Sequence, residues 1–169
     1  LRAIAEQIMP SMLAIGQTCL DWINAYPDKL STAFADQFRQ YIVHPEMLMQ
    51  QSGKHPAELQ LVEDTILGRQ LAEDKAANQL SEVLSPEMLV LYSRLLALSQ
   101  DTRDGFDHTR PYSPRAVIYA LSRALDTLDI DTRSGTFLLQ CAIAPLRDTL
   151  KHTYAALNQY LSEQGVKEQ

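Results

Sequence analysis

Apolar residues recur every three or four positions along most of the chain, the spacing that gathers them on one side of an α-helix. Over residues 1–26 the stripe is Leu1, Ile4, Ile8, Met12, Ile15, Cys19, Trp22 and Ile23. Pro10 lies inside it. It lacks an N–H and crowds the preceding turn, so a kink or split is expected there. Pro27 reads as a stop. Ser31 is placed to cap a second helix through about Val43, with Phe34, Phe38, Tyr41 and Ile42 on its apolar face. His44-Pro45 interrupts, Glu46 to Gln51 offer one more short turn, and Ser52-Gly53-Lys54-His55-Pro56 reads as a loop.

From Ala57 to Leu84 the pattern is helical again, through Val62, Ile66, Ala72, Ala76, Leu80 and Val83. Gly68 is a weak point in it. Glu58, Glu63, Asp64, Glu73 and Asp74 are expected on its solvated side. Ser85-Pro86 restarts a helix, with Ser at the cap and Pro in the first turn. Leu89, Tyr92, Leu95, Leu96 and Leu98 form its apolar face. Gln100 to Tyr112 is polar and without period, the longest connection in the chain. Ser113-Pro114 restarts a helix in the same way, with a stripe of Val117, Ala120, Leu121, Ala124, Leu125 and Leu128. After a break at Asp129 to Gly135, a last helix is expected from about Thr136 to Gln164. It carries Leu138, Cys141, Ala142, Leu146, Leu150, Tyr154, Leu157 and Leu161, with a kink near Pro145 and Gly165 as its C-terminal cap.

Such stripes must be buried against one another. The expected fold is all-α, a bundle of five to seven helices, mostly antiparallel, around a single core, with residues 1–169 as one domain. The two Ser-Pro helix starts do not align beyond chance, so there is no internal repeat. Because the first residue is Leu1, the chain is expected to be a piece of a longer one.

Composition sharpens this picture in few places. A chain of 169 residues with 46% apolar content can bury a core without disulfide or metal. The net charge of −6 disfavours nucleic acid, which needs a cationic surface to displace phosphate counterions. The arginines Arg94, Arg103, Arg110, Arg115, Arg123 and Arg133 are interleaved with Asp101, Asp104, Asp107, Asp126, Asp129 and Asp131, which leaves that half close to neutral. Two cysteines, Cys19 and Cys141, both on apolar faces, read as buried free thiols of a reducing compartment. No apolar run reaches membrane-spanning length. A cytoplasmic location is expected.

Catalytic and metal motifs are missing. There is no nucleophile elbow, no Gly-rich phosphate loop and no dinucleotide fingerprint. None of His44, His55, His108 or His152 follows a Glu three residues earlier, as a di-iron bundle requires. The acids of the Asp101–His108 segment lack the alternate spacing of a calcium loop. No catalytic residue, metal ligand or cofactor is expected, and the chain reads as a non-enzyme. Two sites remain as candidates. Arg110, Tyr112 and Arg115 stand at a helix start, where arginine forks and free N–H groups suit a nucleotide or other anion. Met47, Leu48 and Met49 form a short apolar segment which, if exposed, suits a protein partner, because Met side chains adapt to what they meet.

Several residues resemble the proteobacterial family called domain of unknown function 1631. Leu61-Val62-Glu63-Asp64 opens a helix, with Leu67 and Leu71 following. Arg94-Leu95 stands near the end of the next one. Pro111 and Pro114 bracket the restart. The closing pattern of Tyr154, Leu157-Asn158, Leu161 and Gly165-Val166 is the most specific piece. The resemblance covers roughly residues 59–166. The family pattern has Asn before the first of those prolines, where this chain has Arg110, and the segment before Tyr154 also departs. The resemblance implies a Gram-negative bacterial, cytoplasmic protein that forms part of a longer chain. It transfers no catalytic residue. The expected role is an interaction, scaffold or regulatory module whose partner is another protein or other domains of the same longer chain. The alternative is an anion-responsive domain at Arg110 to Arg115.

Overall fold

The computed structural model describes residues 2–48, 64–99, 110, 112–128 and 130–168. Among them are six long helices: α1 (Arg2–Ala25), α2 (Pro27–Val43), α3 (Asp64–Val83), α4 (Ser85–Ser99), α5 (Pro114–Thr127) and α6 (Thr132–Glu163). Residues 46–48 add a helical turn, and no strand occurs among the described residues. The Ser52–Pro56 loop, Val62 and residues 100–109 of the long connection lie outside them. The fold is the expected all-α bundle.

The local chemistry explains most of the boundaries. Ser113 caps α5: it is extended at φ −72° and ψ 152°, and its Oγ accepts from the Ala116 N–H, with Pro114 opening the helix. The Asp131 carboxylate caps α6 by accepting from the N–H groups of Arg133 and Ser134 at 3.1 and 3.0 Å. A hydrogen bond from the Ser134 side chain, and after it these backbone bonds, hold its pKa below the usual carboxylate value. At the other end of α6, Gly165 takes φ +79°. Its N–H reaches the Ser162 carbonyl and the Val166 N–H reaches that of Leu161, the paired closure of a Schellman motif.

Proline placement differs from expectation at Pro27. Pro27 opens α2 four residues before the expected Ser31 cap, because its missing N–H is one that a first turn leaves unused anyway. α1 runs through Pro10. α6 runs through Pro145 and also begins earlier than expected, at Thr132, so that Gly135 lies inside the helix. Pro145 and Cys141, whose carbonyl loses its helical donor, are both exposed, so water can satisfy what the ring removes. Between α3 and α4 only Leu84 intervenes. Its N–H bonds Leu80 O and its carbonyl receives Met88 N, so the two helices are nearly continuous.

α6 is the spine. Residue pairings give the directions. Gly16 and Cys19 of α1 meet Phe137 and Ser134, an antiparallel pairing. Arg69 and Asp74 of α3 bond Asp126 and Arg115 of α5, also antiparallel. α3 and α4 instead run parallel to α6: Arg69 lies against Gly135, Glu87 receives Asn158, and Arg94 reaches Val166. α5 is the most enclosed element, and α2 lies along its outer side. The core is continuous across it. One lobe gathers Ala76, Leu80, Leu84, Met88, Ile118, Leu125 and Leu139, the other Tyr41, Leu48, Ala116 and Tyr119, and Phe34 packs against both.

Some stripe members face the other way. Met88 and Leu91 fill the core in place of Leu89 and Leu98, which are exposed together with Ile42 and Val83. Of the two cysteines, Cys19 is buried but Cys141 is exposed, and both are free thiols.

Candidate interaction surface

The three residues of the expected anion site are all engaged within the bundle. The Arg115 guanidinium donates to Asp74 Oδ1 at 3.0 Å, to Asn78 Oδ1 at 3.2 Å and to the Tyr119 hydroxyl at 3.1 Å. It thereby ties α5 to α3. The Arg110 guanidinium lies 5.5 Å from the centre of the Tyr92 ring, a cation–π contact with α4. Tyr112 packs on the larger core lobe, and its carbonyl accepts the Tyr154 hydroxyl at 2.7 Å. Burial raises the Tyr154 pKa, so this phenol stays protonated as a donor.

The Met47–Met49 segment is not the open apolar patch that sequence patterning pointed to. Leu48 is 1% exposed and belongs to the smaller core lobe, while Met47 is half-buried against the same lobe. Met49 lies outside the described residues. The turn after α2 folds this segment back onto Tyr41, which a linear pattern cannot reveal.

A buried polar cluster joins α3, α5 and α6. The Arg69 Nε donates to Ser122 Oγ at 3.0 Å, and one Nη donates to the Ser122 carbonyl at 2.9 Å and to Asp126 at 3.3 Å. Ser122 Oγ in turn donates to Glu73, whose carboxylate also lies 3.5 Å from Arg69 Nε. The other Nη fills the space where Gly135 has no Cβ. Burial raises the Glu73 pKa, against the pull of Ser122, Arg69 and Arg123, and Asp126 adds to the rise. Glu73 was expected on the solvated side of its helix. The available signal was Arg69, a charge in line with Ala72, Ala76 and Leu80. Ser122 is 2% exposed, so no substrate reaches its hydroxyl. The cluster is a structural clamp.

Two hollows lie between the helices. One of about 410 Å³, between α2 and the end of α5, is lined by Asp28, Lys29, Thr32, Asp36 and Thr127 and lies open to solvent. The other, about 150 Å³, lies between α1 and the start of α6 beside Cys19, Trp22 and Leu138. Burial pushes the Cys19 thiol up, and its Sγ already donates to the Ser134 carbonyl at 3.7 Å, so it is not a ready nucleophile. Among the described residues, no group of three or more His, Cys, Asp or Glu could hold a metal, and no helix is long and apolar enough to cross a membrane.

What stands out is α1. Its inner side packs on α6 through Gly16, Cys19 and Trp22. On the opposite side, at helical spacing, lie Leu13, Gln17, Leu20 and Asn24, all exposed. Leu13 is 70% exposed and Leu20 55%. Ile23 borders them. Between Leu13 and Ala25 the only charged residue is Asp21, which accepts a hydrogen bond from Gln17 at 2.8 Å. A solvated helix face ordinarily carries more charge than this. Sequence patterning caught the inner stripe and missed the outer one, since two leucines seven residues apart are faint beside eight apolar positions on the first.

A search of curated proteins and one of solved structures each found no match. A family model does match residues 5–165, nearly the whole chain and well beyond the 59–166 stretch of the resemblance. It is described as the N-terminal domain of a protein of unknown function, DUF1631. The chain, a helical bundle, belongs to the DUF1631 family through this match to its N-terminal domain.

Proposed function

We propose that this domain is a non-enzymatic interaction module, a scaffold or regulatory unit of a bacterial cytoplasmic protein, whose contact surface is the outward face of α1. The observation that carries this reading is that face itself: Leu13 and Leu20 stand open, opposite the side that packs on α6, along a stretch with a single charge. Open aliphatic side chains in a row stabilise a complex when covered and contribute nothing to the bundle when not. The polar groups with the chemistry for another role are tied up. Arg69, Glu73 and Ser122 clamp three helices, and the Arg115 guanidinium meets Asp74, which an incoming anion would have to displace. For that reason the anion-responsive alternative ranks second.

The test is a double substitution, Leu13→Glu with Leu20→Glu. Both positions are exposed, so the melting temperature is expected to stay within a few degrees of wild type while every association of the domain, with itself or with another protein, is lost. Associations that survive in full, or a variant that unfolds as a core mutant does, would overturn the reading.

A further inference from the structure

We propose that the outward face of α1 pairs with the same face of a second copy of this chain, the two helices running parallel and in register about a two-fold axis. This rests on the interaction reading above and specifies its partner.

The argument comes from the spacing and chemistry of that face. Leu13, Gln17, Leu20 and Asn24 follow one another at four, three and four residues, the alternation of the d and a positions of a heptad. Leucine takes both d positions and a side-chain amide both a positions. Leucine at d suits two strands, and an amide at a selects register and partner number at some cost in stability. Of the pairings open to this face, the parallel in-register one matches like with like. Leu13 meets its counterpart, Leu20 its own, and each amide meets an identical amide, which can donate and accept at once. An antiparallel pair sets every amide against a leucine layer and leaves its polar atoms unpaired, which is costly once water is excluded.

The flanks agree. Ala14 and Asp21 stand beside the leucines on one side, Gly16 and Ile23 on the other. In the parallel arrangement Asp21 faces the edge of the second copy where Phe137 of α6 covers Gly16, so no like charges meet. The seam is short, with Pro10 at the next a position before it and Pro27 just after it. The small area and polar layers together imply weak association, in about the micromolar range.

Two measurements on the full chain test this. Analytical ultracentrifugation across a wide concentration series is expected to show a monomer–dimer equilibrium, and Leu13→Glu with Leu20→Glu is expected to weaken it by at least about tenfold. In a Cys19→Ser, Cys141→Ser background, Gln17→Cys is expected to form an intermolecular disulfide on mild oxidation, while Lys151→Cys, on the exposed side of α6, is not. A chain monomeric at every concentration overturns the proposal, as does a dimer indifferent to the double substitution or one without the Gln17→Cys crosslink. If another protein binds and is lost with the same double substitution, the interaction reading stands while the second copy fails. If nothing binds at all, both fall.

Discussion

Gly135 shows how a single missing carbon can set a contact between helices. It lies inside α6, where glycine is a poor helix former, and alanine there would gain up to about 1 kcal/mol in propensity. Its Cβ would however strike the Arg69 guanidinium, which cannot swing away without giving up Ser122 and Asp126. Gly135→Ala is therefore expected to destabilise the domain by about 1–2 kcal/mol, net of the propensity gain, as measured by urea unfolding. The Glu73 carboxyl in the same cluster gives a pH signature. Its folded-state pKa is raised, so the folded state favours the protonated form. The stabilisation this contributes is complete below the ordinary Glu value and is lost as pH rises through the raised one. Arg69 and Arg123 oppose that rise and Asp126 reinforces it. Unfolding measured against pH should show this decline in wild type above the ordinary Glu value, and Glu73→Gln should flatten it. A curve unchanged by the substitution would show that Glu73 is not the group responsible.

At the scale of the element, two glycines should respond to alanine with opposite signs. Gly68 sits in exposed helix with open space where a Cβ would go, so Gly68→Ala should stabilise α3 by about 0.5–1 kcal/mol. Gly165 holds the left-handed turn that closes α6, so Gly165→Ala should cost about 1 kcal/mol. Thermal melts of the two variants, run together, decide both. Elements were the most legible part of the sequence. Ser113-Pro114 announced α5 because cap and first turn are neighbours along the chain, and Gly165 announced the end of α6 for the same reason. Pro27 was misjudged because a proline's missing N–H costs nothing where a first turn leaves that group unused. The proposed contact surface was the least legible part. Leu48 was a candidate contact only if exposed, and its burial against Tyr41 depends on a turn back. The outer side of α1 could be seen only once α6 had claimed the inner side. The Arg69 cluster depends on three helices meeting, and no local window contains all of them.

For the whole molecule, α6 matters most. It receives α1, α3, α4 and α5, and the Tyr154 hydroxyl fastens it to the segment that leads into α5. Tyr154→Phe keeps the ring but leaves the Tyr112 carbonyl without that donor, and should lower stability by about 1–2 kcal/mol in chemical denaturation. A variant as stable as wild type would mean that water replaces the hydroxyl at no cost. The expectation of mostly antiparallel neighbours holds for α1, α2 and α5 in their main pairings, and for α3 where it meets α5. The exception is the parallel run of α3 and α4 along α6, which the helix order permits because α5 makes the return. That exception also bears on how the protein is made. During synthesis α1, α3 and α4 leave the ribosome well before the helix they lie against, and none has its main apolar contact until α6 follows. Half-made chains must therefore keep their leucine stripes from one another, and the bundle should lock only when its last long helix is free.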